Sequence, residues 1–213
     1  MKLINPTKFI LKKASDQEEQ VEISLDWLLS GIDLVKRRIE IRSEVNEQFA
    51  SIIFRALAQM EEISHDPITI EMSSPGGEVN QGLAIYDRIT KSPCDIHIVA
   101  SGQIMSMGFI IFLGGDTRTA YPNTSFMMHS ISYAQGDNTK IVRHHEIDVM
   151  EAKRLNNVLL DIMADRTNRN RKYWYRTVLL ADRYFTVPEA VELGIIKENN
   201  IVRRKVKKNA KRG

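Results

Sequence analysis

Ile68-Thr69-Ile70-Glu71-Met72-Ser73-Ser74-Pro75-Gly76-Gly77 decides the fold. Its first five residues alternate apolar and polar as a half-buried strand does, and the serine-proline-glycine cluster that follows marks a sharp turn. Val79, Leu83, Tyr86 and Ile89 then recur at helical spacing, so the unit reads strand, glycine turn, helix. A second copy follows. Ile96 to Ala100 is a nearly continuous apolar strand, Ser101-Gly102 reads as its turn, and an apolar helix starts near Ser106 with Met107-Gly108-Phe109-Ile110-Ile111-Phe112-Leu113. Two successive units of this kind imply a parallel sheet with right-handed crossovers, and such sheets carry their functional loops at the carboxyl ends of the strands. Both turns therefore open on one rim of an α/β domain.

Working outward, Ile39 and Ile41 alternate with charged neighbours as a short strand, and Ile52, Ile53, Ala56, Leu57 and Met60 fall on one helical face. Downstream, Pro122-Asn123 precedes a short strand from Ser125 to His129. A long helical pattern follows from about Thr139 to Arg166, with Leu155, Val158, Leu159 and Ile162 on one side. At about 40 Å by its rise per residue, that helix projects from a domain of this size unless something packs on it, which points to oligomerisation. A further helix is expected over Arg171 to Leu180, and a short closing helix begins at Pro188-Glu189-Ala190-Val191. The chain divides into an N-terminal arm and docking segment at 1–37, a main domain at 38–201, and a basic tail at 202–213.

Bulk properties narrow the classes. The 213 residues, 43% of them hydrophobic, suit one α/β domain. The net charge of +3 belongs to the tail: seven of the last twelve residues are Lys or Arg, and without them the rest carries −4. No aromatic residue interleaves these charges, so a solvated end is favoured over a nucleic-acid or membrane contact. The single cysteine, Cys94, forms no internal disulfide and reads as a plain structural residue in a reducing compartment. No apolar run is long enough to span a membrane, and Pro6 interrupts the start before a signal-peptide core, so the expected location is cytoplasmic. With no HExxH motif, no CxxC pair and no clustered carboxylates, neither a metal nor a cofactor is expected.

The chemistry centres on Ser106. A hydroxyl at a helix N-terminus lies beside unpaired N–H groups and the positive end of the helix dipole. Serine needs a base, and a neutral histidine steadied by a carboxylate supplies one; His129 and Asp182 are the candidates. Taken singly, Ser106 is a helix cap, His129 a core residue and Asp182 a turn cap. The Ser73-Ser74-Pro75-Gly76-Gly77 turn lacks the spacing and the GK[ST] ending of a phosphate loop. Its better use is to let the Gly77 N–H approach an oxyanion from one side while the Met107 N–H approaches from the other.

Ser-Pro-Gly-Gly at 74–77, Ala84-Ile85-Tyr86-Asp87, Gly102 with Ser106-Met107-Gly108, Pro122-Asn123, Met127-Met128-His129, and Asp182 with Pro188-Glu189-Ala190-Val191 and Gly194 together resemble ClpP, the proteolytic subunit of Clp protease. The resemblance runs from about Arg38 to Ile196. It implies a ClpP/crotonase-like spiral of β-β-α units with a protruding long-helix handle. It also implies Ser106 as nucleophile, His129 as base, Asp182 as orienting carboxylate, and Gly77 and Met107 as the oxyanion hole. The expected function is a serine endopeptidase that cleaves unfolded proteins or peptides inside a homo-oligomeric, heptameric ring chamber, with an AAA+ unfoldase as possible partner. The alternative is a catalytically weak or inactive paralogue serving as a structural ring subunit. Where the family continues its histidine with Gln-Pro, this chain has Ser130-Ile131-Ser132-Tyr133, and where the family has an acidic residue and an arginine before its aspartate, this chain has Leu180-Ala181.

Overall fold

The computed structural model describes the backbone of residues 7–12 and 18–23, and residues 31–132, 142–178 and 181–202. The docking segment around Trp27-Leu28-Leu29 and the basic tail from Arg203 onward lie outside the described residues. Within the segment 1–37, β1 (Thr7–Lys12) and β2 (Glu18–Ile23) form an antiparallel ladder with Thr7 opposite Ile23, an element the sequence pattern did not announce.

The main sheet begins at β3 (Ile32–Asp33) and β4 (Arg38–Ile41), where Ile39 and Ile41 point into the core. Asn46 then caps α1 (Glu47–Ile63), its side chain accepting from the Phe49 N–H at 2.9 Å. Phe49, Ala50, Ile53, Ala56, Leu57 and Met60 form the buried stripe of α1, at the three- and four-residue spacing of an amphipathic helix. The two units predicted from the sequence follow as β5 (Ile68–Ser74) with α2 (Val79–Thr90), and β6 (Ile96–Met105) with α3 (Met107–Leu113). β4, β5 and β6 run parallel, with Ile39 beside Ile70 and Ile70 beside Ile98.

One expectation needs correction. Ser101-Gly102 is not the turn between β6 and α3, because the strand continues to Met105. Gly102 adopts φ +63°, and the β5 register shifts between Met72 and Ser74, so the irregularity is absorbed within the ladder. This extra length gives β6 two partners on one side: β7 (Thr117–Ala120) pairs along residues 97–100, and β8 (Ser125–Met128) along residues 103–105. β9 (Arg183–Phe185) closes the sheet antiparallel to β8.

Every residue of α3 is buried, as a helix apolar on all sides must be. Phe109 packs against the rings of Phe126, Trp174 and Phe185 at 6.2–6.4 Å, so the helix behind Ser106 is held by aromatic contacts. Its far end is held too: the Arg166 guanidinium donates to the carbonyls of Leu113 at 2.8 Å and Gly115 at 2.9 Å, placing a cation at the helix C-terminus. Arg166 ends α4 (Val142–Arg166), which leads into α5 (Arg171–Val178). The C-terminal part of α4 is anchored through Leu155, Leu159, Leu160 and Met163, whereas Ile147, Val149 and Met150 nearer its start are 53%, 51% and 70% exposed. α6 (Val187–Glu192) starts at a capping box between Thr186 and Glu189.

Cys94 has the structural role expected of it. Buried Arg37, at φ +52°, donates to the Met60, Ser64 and Asp66 carbonyls and to the Cys94 sulfur at 3.3 Å, tying the end of α1 to the strand that follows α2. On the same side Arg88 of α2 forms a two-pronged bond to Glu61 of α1, with one prong at 2.8 Å, and Ser92 adds a third donor at 2.6 Å. The Arg88 hydrogen bond, opposed by burial, holds the Glu61 carboxyl below the usual carboxylate range. Arg88→Met is expected to lower stability at pH 7 by about 1–3 kcal/mol, the range for a charge-assisted bond whose partner stays partly buried. Because Glu61 is depressed in the folded state, its contribution is complete above its unfolded pKa and is lost as pH falls through the folded value. Urea titrations of both proteins should therefore show a gap that closes on acidification.

Candidate active site

Ser106 is the hinge residue between β6 and α3, at φ +51° and ψ −124°. A non-glycine residue in that region is strained, and such strain persists only where the surroundings over-determine it. Here the Ser106 N–H donates to the Met127 carbonyl of β8 at 2.9 Å, while α3 is fixed at its other end by Arg166. The Ser106 side chain makes no capping bond, so the plain helix-cap reading of this serine fails. Its Oγ lies instead 2.9 Å from Nε2 of His129. That is hydrogen-bond distance for a nucleophile and its base.

His129 follows β8 directly, and the β8–β9 ladder explains how Asp182 comes near it. Phe126 faces Phe185, Met127 faces Tyr184 and Met128 faces Arg183; one more step of this antiparallel register sets His129 opposite Asp182. The Asp182 Oδ1 is 4.0 Å from His129 Nδ1, and the carboxylate is 66% exposed. At this separation the two groups are neighbours, farther apart than a hydrogen bond. Ser106 and His129 are thus brought together, and Asp182 is brought alongside without touching the imidazole. β9 was missing from the sequence reading because three residues carry no period, although Tyr184 and Phe185 supplied a β-propensity signal.

The second turn is built to the same tolerance. Gly76 and Gly77 adopt φ +98° and +147°, conformations that L side chains rarely take. A Cβ on Gly76 would sit 2.6 Å from the Ser106 Cβ and 3.0 Å from the Met107 nitrogen; one on Gly77 would sit 2.2 Å from the Val45 carbonyl oxygen. The turn is gripped on both sides, because the Val45 N–H donates to the Gly76 carbonyl at 2.7 Å and the Glu78 N–H donates to the Val45 carbonyl at 2.8 Å. Ser74, fully buried, adds a local clamp: its hydroxyl donates to the Ser43 carbonyl at 2.8 Å and accepts the Gly76 N–H at 3.2 Å. Val45 carries no signal in the sequence, whereas Ser74 belongs to the serine-proline-glycine cluster, and a serine two residues before a glycine is the ST-turn pattern of its clamp. Gly77, Ser106, Met107 and His129 line one cleft, completed by Val79, Met128, Ile131 and Leu159 together with Ser130 and Ser132. As the first residue of α3, Met107 carries one of the N–H groups that have no carbonyl partner within the helix.

The span that holds both turns, Ser106 and His129 lies within residues 28–204, which the Clp protease family model matches. The chain belongs to the Clp protease family. Among solved structures it is similar to the ClpP1 N165D mutant from Listeria monocytogenes, at 27% sequence identity and a TM-score of 0.73, across 85% of this chain and 97% of that one. As a Clp protease it is a peptidase of the ClpP type, and its mixed α/β architecture, with six α-helices among the described residues, is the ClpP fold. The family match begins before Arg38 and ends after Ile201, so it is slightly longer than the main domain drawn from the sequence. Among the described residues no helix is long and apolar enough to cross a membrane, and no group of three His, Cys, Asp or Glu side chains is placed to hold a metal ion.

The contact between the two turns gives a direct test. Gly77→Ala should cost about 1–3 kcal/mol, as other overpacked positions do, because its Cβ meets backbone rather than a movable side chain. Denaturant melts would show this. Ser106→Gly should instead raise stability by about 1–3 kcal/mol by removing the strain of a positive φ, whereas Ser106→Ala, which keeps the Cβ, should not.

Proposed function

We propose that this Clp protease is a serine endopeptidase working through an acyl-enzyme, with Ser106 as nucleophile and His129 as general base. The observation that carries the reading is the 2.9 Å approach of His129 Nε2 to Ser106 Oγ at a strained turn. With the imidazole protonated on Nδ1, Nε2 takes the hydroxyl proton as Oγ attacks the scissile carbonyl. The negative oxygen of the tetrahedral adduct is received by the Gly77 and Met107 N–H groups, and His129 returns its proton to the departing amine. Water then attacks the ester by the same route in reverse. Asp182 orients the ring and stabilises the imidazolium once a small closure shortens the 4.0 Å gap to a hydrogen bond.

The substrates are unfolded proteins or peptides, and the site works within a ring of identical subunits, a heptamer or two stacked heptamers, fed by an AAA+ unfoldase where one is present. The apolar residues Ile147, Val149 and Met150, left exposed along the first half of α4, support contact with another copy. No cofactor enters this chemistry.

The exposed, unbonded Asp182 favours a second reading, a weakly active or inactive ring subunit. Two variants separate them. Under the first reading Ser106→Ala abolishes peptide hydrolysis and fluorophosphonate labelling but leaves the native mass of the assembly unchanged. Under the same reading Asp182→Asn lowers kcat by about 10⁴-fold, as loss of the orienting carboxylate does in other serine triads. A wild type that assembles but takes up no label supports the second reading, and a monomer at working concentration removes the ring from both.

A further inference from the structure

Beyond its reacting groups, the cleft depends on a bond that joins two distant parts of the chain. The Ile131 N–H donates to Oδ1 of Asn156 on α4 at 3.1 Å, in a half-buried setting. Ile131 lies two residues after the base and is itself part of the cleft's lining. Asn156 lies one helical turn before Leu159, another residue of that lining, and directly after Leu155, the first buried residue of α4 among those described. Past the end of β8, Ser130 to Ser132 enter no ladder among the described residues. Asn156 thus supplies a fixed acceptor where regular strand pairing has ended.

We infer that Asn156 is a positioning residue for specificity: by fixing the Ile131 backbone it sets the distance between the Ile131 and Leu159 side chains. That distance determines which side chain of a substrate fits beside Ser106. The inference rests on the peptidase reading and deepens it. Val79, Met128, Ile131 and Leu159 form the apolar part of the lining, beside Ser130 and Ser132, so the side chain that Ile131 and Leu159 receive, on the residue whose carbonyl is attacked, is an apolar one. This chain's isoleucine matters here. A proline at 131, the residue the family pattern has at this place, could not make the bond, because it has no N–H.

The experiment compares Asn156→Leu, which keeps the branched shape and removes the acceptor, with Asn156→Asp, which keeps an acceptor oxygen. Each is assayed on two peptide esters differing only in leucine or alanine at the cleaved residue, and by the rate of fluorophosphonate labelling. Asn156→Leu should lower the leucine-over-alanine preference in kcat/KM by about tenfold, the order expected when a partly buried N–H loses its partner. The change should lie in KM, labelling should stay near the wild-type rate, and Asn156→Asp should retain most of the preference. The same comparison in an Ile131→Pro background closes a double-mutant cycle: with the donor already gone, Asn156→Leu should have no further effect on preference.

An unchanged preference in Asn156→Leu overturns the inference and leaves the peptidase reading standing. Parallel loss of labelling and preference also overturns it, since it places Asn156 in support of the reacting groups or of the fold. Should the proline background fail to fold, the Leu and Asp variants decide alone. A wild type that takes up no label overturns the peptidase reading and this inference with it.

Discussion

Two strand-to-helix junctions pressed into backbone contact are the constraint on which the site rests. The turn at Gly76-Gly77 and the turn at Ser106-Met107 approach so closely that a single methyl group at residue 76 would overlap both the Ser106 side chain and the Met107 amide. In the proposed mechanism this closeness serves the Gly77 and Met107 N–H groups, since donors held in place need no reorganisation when charge develops between them. It is maintained from outside. Val45 pairs with the first turn, the Met127 carbonyl receives the Ser106 N–H, and Arg166 closes the far end of α3. The strain at Ser106 is sustained by these contacts together.

How far the sequence spoke for the structure differs between elements, and the reasons are physical. The alternation of 68–72 and the helical spacing of Val79, Leu83 and Tyr86 are strong periodic signals, and both elements formed where that spacing put them. Ser101-Gly102 looked like a turn because glycine so often marks one, yet Gly102 took a positive φ within a continuing strand. Local composition cannot separate these outcomes, since the neighbouring strand decides whether the ladder goes on. β7 and β9 were too short to show a period.

At the site, residue chemistry made His129 a candidate partner for Ser106, but it took the resemblance to ClpP to assign the pair, because twenty-three residues and two strands separate them. Their meeting depends on β6 running on to Met105 and on β8 lying beside it at residues 103–105. Asp182 was legible as a residue type, but its 4.0 Å separation from the imidazole was not, since a distance of that kind depends on the packing of β9 and of everything that follows it. Val45 and Asn156 left almost no trace in the sequence. They act through hydrogen bonds that involve backbone groups far away in the chain, and a lone valine or asparagine has no pattern by which to be noticed.

The ten-residue β6 is bonded to β5 along one edge and to β7 and then β8 along the other. One strand therefore acts as a splint across a branched sheet, and neither branch can peel away without exposing part of the other's shared edge. The crotch of that branch, Tyr121 to Thr124, is pinned by the Tyr121 N–H and the Thr124 hydroxyl, both donating to the Ala100 carbonyl. Lengthening this short connection would drive a wedge between the branches just ahead of Ser106, so tolerance to insertion should be low in a loop outside the cleft.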